Sequence, residues 1–492
     1  MSKAIVIGSG VAGLASAIRL RAKGYVVDVF EANSYPGGKL TEVEVDGFRF
    51  DAGPSLFTLP VLVDNVIRAA GEDPREHLKY FKREVVCNYF WEDGTQFSAS
   101  ADAEKFASDA EGAFDVKAAE IKNYLKHAEK MYRLTTKVFL ERSLHKASTY
   151  LSMDAVIAIT NIFGMNLTKT LDEVNRKRLA DPKLVQLFNR FATYNGSSPF
   201  LAPGIFTMVP HLEHNVGAFF PEGGMHSITK ALYNVALKKG VNFHFNKRVN
   251  EILIEKGRAA GVKTEKVHKA NIVISNMDVV PSYRKLMPKS DAPEQTLEQE
   301  RSSSALIFYW GIKAQFPELD LHNIFFSNNY KEEFSKIFQS NEVGEDPTVY
   351  IHVSSKAEIA DAPEGCENWF VMVNVPSNKG QNWDEIIDRT RKNVITKLGR
   401  ILHRDIEPLI VCEEQLDPIR IEEKTSSHQG ALYGASSNSK FSAFLRHPNF
   451  QKKVKGLYFC GGSVHPGGGI PLCLLSAKIT AELIPDPTNE KK

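Results

Sequence analysis

The chain has 492 residues, of which 43% are hydrophobic and 24% charged, a composition that suits a globular protein of two or three domains. Its formal net charge of +2 provides no strong positive field, so no nucleic-acid partner is expected. The five cysteines are odd in number and form no Cys-x-x-Cys pair, which argues against a disulfide framework and against a zinc site, and no metal is expected.

The first elements form a strand–turn–helix–strand unit. The apolar pattern predicts a strand at residues 4–7, a helix at 14–23 and a strand at 26–30. Gly8, Gly10 and Gly13 have the spacing of a dinucleotide fingerprint, and Glu31 ends the second strand. In this context the glycines permit a tight turn, admit a pyrophosphate and let the helix pack on the strand, while Glu31 accepts hydrogen bonds from a ribose. The unit predicts a dinucleotide-binding domain.

A short β-rich stretch follows and then a helical one. The sequence predicts a turn at residues 36–39, a hairpin of strands 40–45 and 48–50, a loop at 51–56, a strand at 85–90 and a turn at 92–95. Helical spacing then extends from about residue 102 to 191. Within it, residues 150–165 are unusually apolar and have basic flanks, which suits either docking on a membrane surface or a buried helix of the substrate domain.

The second half returns to strands and ends on another glycine-rich loop. Strands are predicted at 241–245, 249–254, 271–275, 305–310, 349–353, 370–375 and 457–460, with a helix at 226–239. A glycine cluster at 461–469 precedes a last helix at 472–483. If strand 457–460 joins the first sheet, this helix points its N-terminus at the bound nucleotide, where it stabilises negative charge.

These motifs together resemble the bacterial-type carotenoid (phytoene) desaturases, FAD-dependent enzymes related more distantly to amine oxidases. The resemblance covers nearly the whole chain and rests on residues 4–13, 31, 36–39, 51–55, 193–200, 220–224, 275–278 and 465–471. It implies an α/β fold with a Rossmann-like FAD-binding domain of the glutathione-reductase/amine-oxidase type, an α+β substrate domain and a helical lid or membrane-facing region. The corresponding ranges are 1–80, 220–290 and 420–485 for FAD, 81–101 and 291–419 for substrate, 102–219 for the helical region and 486–492 for a tail.

The resemblance also implies which residues bind FAD. Gly8, Gly10, Ala12 and Gly13 would contact the pyrophosphate, Glu31 the adenosine ribose, Gly38 and Lys39 the phosphates, Ser55 and Leu56 the flavin ring, Val249 and Met277 the adenine end, and Gly461, Gly462, Gly469 and Ile470 the ribityl chain and ring. Two positions depart from the pattern. Lys39 stands where the family often has arginine, which removes a bidentate phosphate contact, and Gly462 stands where many flavoproteins place a carboxylate.

The implied activity is desaturation of a long acyclic polyene in an apolar, water-free channel, with the redox chemistry carried by the cofactor. Residues 86–91 and 460–463 favour 3,4-desaturation of an acyclic or hydroxylated carotenoid end, and phytoene desaturation is the alternative. His465 is the candidate for proton transfer, although a loop histidine bonded to backbone suits the pattern equally well. A non-catalytic prenyl-lipid carrier of the Rab dissociation-inhibitor type and an amine oxidase are rival classes.

The remaining expectations concern location and partners. A first strand at residue 4 leaves no room for a signal peptide, and no apolar run reaches the roughly 18 residues that span a bilayer. We therefore expect a cytoplasmic protein, peripheral on the inner face of the membrane. Its expected partners are a lipid-soluble carotenoid, the membrane surface and an electron acceptor such as a quinone or dioxygen.

Overall fold

The structure is a computed structural model that describes residues 2–439, 442 and 444–487. The side chains of Ile159, Ile162 and Phe163 lie outside the described set, as do residues 488–492 of the predicted tail.

A parallel five-stranded sheet forms the nucleotide-binding half. Its order is Leu457–Phe459, Ile272–Ser275, Lys3–Ile7, Val26–Phe30 and Asn242–His244. Helix Val11–Ala22 packs against helices His226–Lys238, Val61–Ala69 and Ile470–Leu483. Residues 4–7 are buried because helices and a further β layer cover the sheet, which explains their unbroken apolar run. The strand predicted at 457–460 therefore does join the first sheet.

A mixed seven-stranded sheet forms the second half. Its order is Ile410–Leu416, Ser304–Ile312, Glu367–Val375, Val349–His352, His322–Phe325, Val85–Phe90 and Gln96–Ser100. Trp310 and Trp369 are cross-strand partners and fully buried, and helix Trp383–Ile401 contributes to the same core. All these strands come from residues 81–101 and 291–419, although the domain boundaries themselves stay a prediction. The strands at His322–Phe325 and Ile410–Leu416 were not identified from the sequence.

The helices predicted between about residue 102 and 191 are present, and helical turns continue beyond them to Val216. It contains Ala103–Ala113, Ala118–Thr135, Ala147–Tyr150, Met153–Thr160, Leu171–Arg178 and Pro182–Asn189, with tighter or wider turns at Thr136–Leu140, Ile162–Met165, Arg190–Asn195, Gly204–Met208 and Leu212–Val216. Ile121, Tyr124 and Met131 are buried on one face, as their spacing predicts. No helix in the described ranges is long and apolar enough to cross a bilayer.

Several smaller elements complete the fold. The fold class is α/β, as the sequence predicts. Two-stranded sheets pair Glu42–Val45 with Phe48–Asp51 and Tyr80–Lys82 with Phe219–Pro221, and a three-stranded sheet contains Glu251–Glu255, Arg258–Lys263 and Val267–Lys269. Short helical segments lie at Pro74–His77, Val279–Pro281, Ser282–Leu286, Glu294–Leu297, Tyr330–Ser335, Lys336–Ser340, Ser354–Lys356, Ile359–Asp361, Glu407–Leu409, Pro418–Thr425 and His428–Gly430. The strand predicted at 249–254 begins at Glu251, so Val249 lies in the preceding loop.

Candidate active site

A cavity of about 1080 Å³ lies between the two large sheets. Both glycine loops line one side, and the seven-stranded sheet lines the other with apolar side chains such as Ile307, Phe370 and Met372. Nearly all residues predicted to bind the cofactor line it: Gly8, Gly10, Ala12, Glu31, Gly38, Lys39, Ser55, Leu56, Val249, Met277, Gly461, Gly462, Gly469 and Ile470. Segments far apart in the sequence therefore meet at one space, and the contact assigned to each residue stays a prediction.

Two helix N-termini face this cavity without a side-chain cap. Helix Val11–Ala22 begins after Gly10 and helix Ile470–Leu483 begins after Gly469, and neither preceding residue provides a capping side chain. Gly13 N–H donates to Asn276, and Pro471 has no N–H. The other backbone N–H groups in the first turn of each helix have no partner inside the helix, and they suit phosphate oxygens and the negative edge of a reduced flavin. This donor set fits FAD.

Gly13 is the predicted site residue that does not line the cavity. Its N–H donates to Asn276 Oδ1 at 3.0 Å, and a Cβ at this position would overlap the carbonyl oxygen of Gly8. Gly13 thus lets the helix approach the first strand, as its spacing predicts, and its contact with the pyrophosphate stays a prediction.

Asn276 is a further site residue, which was not among those predicted although it lies in the motif at residues 275–278. Besides accepting from Gly13, its Nδ2 donates to the Cys460 carbonyl at 3.2 Å, so one amide joins the two glycine loops. It follows strand Ile272–Ser275 at the carboxyl edge of a parallel sheet, where ligands bind in such folds. That position was the available signal.

The Glu31 carboxylate is fixed by the first glycine turn. Oε2 accepts from Ser9 N and Ser9 Oγ, both at 2.8 Å, and Oε1 accepts from Asn33 N at 2.9 Å. The side chain is buried but lines the cavity. These three donors hold the carboxylate in one orientation, with lone pairs remaining for ribose hydroxyls.

Lys39 connects the cofactor side of the cavity to a distant loop. Its ammonium donates to the Leu432 carbonyl at 2.8 Å and to the Ala431 carbonyl at 3.3 Å, and burial lowers its pKa below the usual value. A Cβ at Gly53 would overlap the Lys39 carbonyl oxygen, so the loop at 51–56 rests directly on this turn. That contact sets the position of Ser55.

His465 lines a second, smaller cavity, which of the predicted FAD residues only Gly469 also lines. A second space of about 340 Å³ is lined by His465 together with Tyr132, Phe139, Met208, Phe444 and Leu475. His465 Nε2 is 2.8 Å from the carbonyl oxygen of Arg142, which can only accept, so Nε2 carries the proton. Burial lowers the pKa of His465 to about 4. The structure thus places this candidate base in a backbone hydrogen bond, and His465 is not among the residues that line the larger cavity.

Buried neutral histidines give the fold an expected acid sensitivity. Burial lowers the pKa of His352, His447 and His465 to about 4, below the value of about 6.5 expected for the unfolded chain. Between these two values the unfolded state binds more protons, so stability falls as the pH falls through this window. We expect Tm to decrease from about pH 7 to about pH 4.5, and His447→Gln to flatten the decrease. A slope identical in the variant would contradict this account.

One surface cluster of acidic and histidine side chains bears on the prediction that the protein has no metal site. Among the described residues, Glu72, Glu76 and His77 lie close enough to share an ion. Glu72 already pairs with Lys238 at 2.5 Å and Lys239 at 2.6 Å. Its carboxylate therefore already belongs to an ion-pair network with these two lysines.

Comparison with known proteins identifies the family. Residues 11–485 match the model of the flavin-containing amine oxidoreductases. A 1-hydroxycarotenoid 3,4-desaturase from Flavobacterium sp. (strain P99-3) is 55% identical and aligns over 99% of both chains, and a 4,4'-diapolycopene oxygenase from Methylomonas sp is 32% identical over 98% of both. The crystal structure of an oxidoreductase from Methanosarcina mazei has the same fold, with a TM-score of 0.66, 17% identity and coverage of 98% of this chain and 100% of that one.

These matches confirm the resemblance to carotenoid desaturases and the expectation of FAD, and they set aside a non-catalytic lipid carrier. The chain belongs to the flavin-containing amine oxidoreductase family, within it to the carotenoid desaturases, and is an FAD-dependent oxidoreductase.

Proposed function

We propose that the protein introduces a double bond between C3 and C4 of an acyclic carotenoid that carries a hydroxyl group at C1. The observation that carries this proposal is the 55% identity over the full chain to a protein named for that reaction. The apolar sheet side of the cavity supports it, because a polyene offers few polar groups to bind. When bound, FAD accepts the two hydrogens that leave the substrate.

The protein's own residues position the polyene and exclude water from it. Ile307, Phe370 and Met372 line the space where a polyene end would lie, and the two uncapped helix N-termini face the cofactor side. Expression in cells that accumulate different carotenoid precursors, followed by pigment chromatography, tests the assignment. Conversion of 1-hydroxylated acyclic carotenoids supports it, while conversion of phytoene alone would favour the alternative desaturase.

We also propose that the protein docks on a membrane surface at the inner face of the cytoplasmic membrane. The docking surface consists of Tyr150, Leu151, Met153, Val156 and Ile157, all of which are exposed. Leu151 and Met153 are 86% and 73% exposed. Contact of such large apolar side chains with water is unfavourable, and a lipid surface would replace that contact. Two basic side chains lie next to this surface, because both pair with Asp154 of helix Met153–Thr160. Lys137 Nζ is 3.9 Å from Asp154 Oδ1, and Arg142 Nη2 is 3.2 Å from Asp154 Oδ2.

The second cavity supports a substrate route from this surface. Thr136 and Leu140, on the segment before the docking surface, line it. It shares its wall with the larger cavity at Thr58, Tyr194, Gly468, Gly469 and Pro471.

A quinone dissolved in the same membrane, or dioxygen, would accept the electrons from the reduced flavin. Comparing the rate of flavin reoxidation by each acceptor tests which one acts.

Charging the docking surface is expected to release the protein from liposomes. Leu151→Glu together with Ile157→Glu should reduce co-sedimentation with anionic vesicles about tenfold, because a buried charge opposes insertion of the apolar side chains. Ile359→Glu is the matched control, since Ile359 is also 86% exposed but lies in another part of the chain. Bound flavin should be unchanged in all variants. Equal retention of the double variant and the control on vesicles would contradict the docking proposal.

A further inference from the structure

One chain of hydrogen bonds joins the cofactor side of the larger cavity to its substrate side. Ser55 Oγ lies 2.7 Å from Tyr350 Oη, which lies 2.7 Å from His322 Nδ1. All three residues line the cavity. Ser55 comes from the loop that rests on Lys39, whereas Tyr350 and His322 come from neighbouring strands of the seven-stranded sheet.

Hydrogen-bond capacity determines the direction of this chain. His322 Nε2 is buried and has no partner among the described residues. An unpaired buried N–H is rarer than an unpaired lone pair, so the ring proton belongs on Nδ1, where it donates to Tyr350. Burial lowers the pKa of His322 well below its usual value, which keeps the ring neutral. Tyr350 then donates to Ser55, and the Ser55 hydroxyl proton is left free to donate into the cavity.

Three further polar side chains that line the cavity, those of Tyr309, Arg190 and Glu213, already have partners. Tyr309 Oη donates to the Ala52 carbonyl at 2.8 Å. Arg190 and Glu213 form an ion pair at 2.5 Å, and Arg190 Nε also donates to Tyr89 Oη at 2.8 Å. Two hydroxyl groups that line the cavity therefore keep a proton that the surrounding bonds leave unassigned: Ser55, and Tyr194, whose buried hydroxyl has no partner among the described residues. Of these two, Ser55 belongs to the hydrogen-bonded chain with Tyr350 and His322.

Substrate geometry requires a hydroxyl-binding group close to the flavin. With carbon–carbon bonds of about 1.5 Å, an oxygen on C1 lies within about 5 Å of C3 and C4. If C3 and C4 face the flavin, the hydroxyl group must be bound at the edge of the ring. The family resemblance places Ser55 beside that ring together with Leu56, and of these two Ser55 has a hydroxyl group.

We propose that Ser55 and Tyr350 bind the hydroxyl group of a hydroxylated carotenoid end and thereby determine which carbons face the flavin. His322 acts as a positioning residue, because it fixes the proton direction through Tyr350. The inference rests on the proposed function and extends it from a reaction to the residues that select the substrate. The substrate oxygen accepts from Ser55 and can donate its own proton to the remaining lone pair of the Tyr350 oxygen.

Equilibrium binding tests the inference without turnover. The holoenzyme, reduced with dithionite under nitrogen, is titrated with two acyclic carotenoids that differ only by the 1-hydroxyl group. Ser55→Ala and Tyr350→Phe should each weaken binding of the hydroxylated carotenoid about tenfold and leave binding of the other within about twofold. Tyr124→Phe is the control, because Tyr124 is a buried tyrosine bonded to Asn175 at 2.8 Å that lines neither cavity.

The outcomes separate this inference from the proposed function. Equal losses of affinity for both carotenoids in Ser55→Ala and Tyr350→Phe would overturn the inference. Glu213→Gln changes another polar residue that lines the cavity. If this variant lost the discrimination between the two carotenoids while Ser55→Ala and Tyr350→Phe kept it, the inference would also be overturned. A wild-type enzyme that forms the 3,4 double bond without discriminating between the two carotenoids would also overturn it, while the proposed function stands. Ser55-dependent discrimination without formation of that bond would support the hydroxyl site and refute the proposed function.

Discussion

Gly13→Ala is expected to yield a protein that folds poorly and retains no FAD. The new methyl group would overlap the Gly8 carbonyl oxygen and approach Asn276 Oδ1, so the helix and the first strand must separate. That movement displaces the uncapped N–H groups of helix Val11–Ala22 from the cavity. We expect flavin content to fall at least 100-fold and unfolding free energy to fall by about 2 to 3 kcal/mol, the cost of overpacking a core.

Flavin absorbance per protein and thermal unfolding of the purified variant measure both effects. Gly112→Ala is the matched control, because Gly112 lies in helix Ala103–Ala113 with nothing within 4 Å of an added Cβ. Alanine there should leave flavin content unchanged and stabilise the helix by about 0.5 to 1 kcal/mol. Normal flavin content in Gly13→Ala would contradict the close helix–strand contact.

Arg190→Met is expected to cost about 3 to 5 kcal/mol of unfolding free energy, because it leaves the Glu213 carboxylate buried without its counter-charge. Both residues are almost fully buried, and their contact is 2.5 Å long. The double variant Arg190→Met/Glu213→Leu should recover most of the loss, since apolar side chains of similar volume commonly replace such a pair at little cost. Denaturant unfolding of the two variants measures the difference.

The pH dependence of Arg190→Met follows from the same pair. Burial raises the pKa of Glu213, and Arg190 partly offsets this. Without Arg190 the pKa in the folded state rises further above that of the unfolded chain, so the folded variant binds more protons in the interval between them. Its stability is therefore highest at low pH and falls as the pH rises. We expect a smaller deficit relative to wild type at about pH 5 than at about pH 8, and an equal deficit at both would contradict the assignment.

Local sequence signals were sufficient for the nucleotide-binding half. The unbroken apolar run at 4–7, the glycine spacing and the second cluster at 461–469 each reflect backbone geometry that neighbouring residues determine. The strands themselves were recognisable there because buried parallel strands have unbroken apolar runs, but their pairing stayed a condition. The structure then placed Leu457–Phe459 beside Ile272–Ser275, which brings both glycine loops to one cavity.

The substrate side could not be derived in the same way. Ser55 and Tyr350 are 295 positions apart, and their contact depends on how the seven-stranded sheet lies against the loop at 51–56. His322 belongs to a four-residue strand too short for a periodic pattern. For His465 the sequence left two interpretations, and the bond to the Arg142 carbonyl depends on a distant helical segment. Tertiary packing, which local patterns do not encode, determines these contacts.

An anaerobic single turnover tests the central claim most directly. The FAD-loaded protein is mixed under nitrogen with a 1-hydroxylated acyclic carotenoid in liposomes, and flavin absorbance and products are followed together. The account predicts that the flavin bleaches while an equal amount of carotenoid loses two hydrogens and gains a double bond between C3 and C4. A flavin that stays oxidised beside unchanged carotenoid would contradict it.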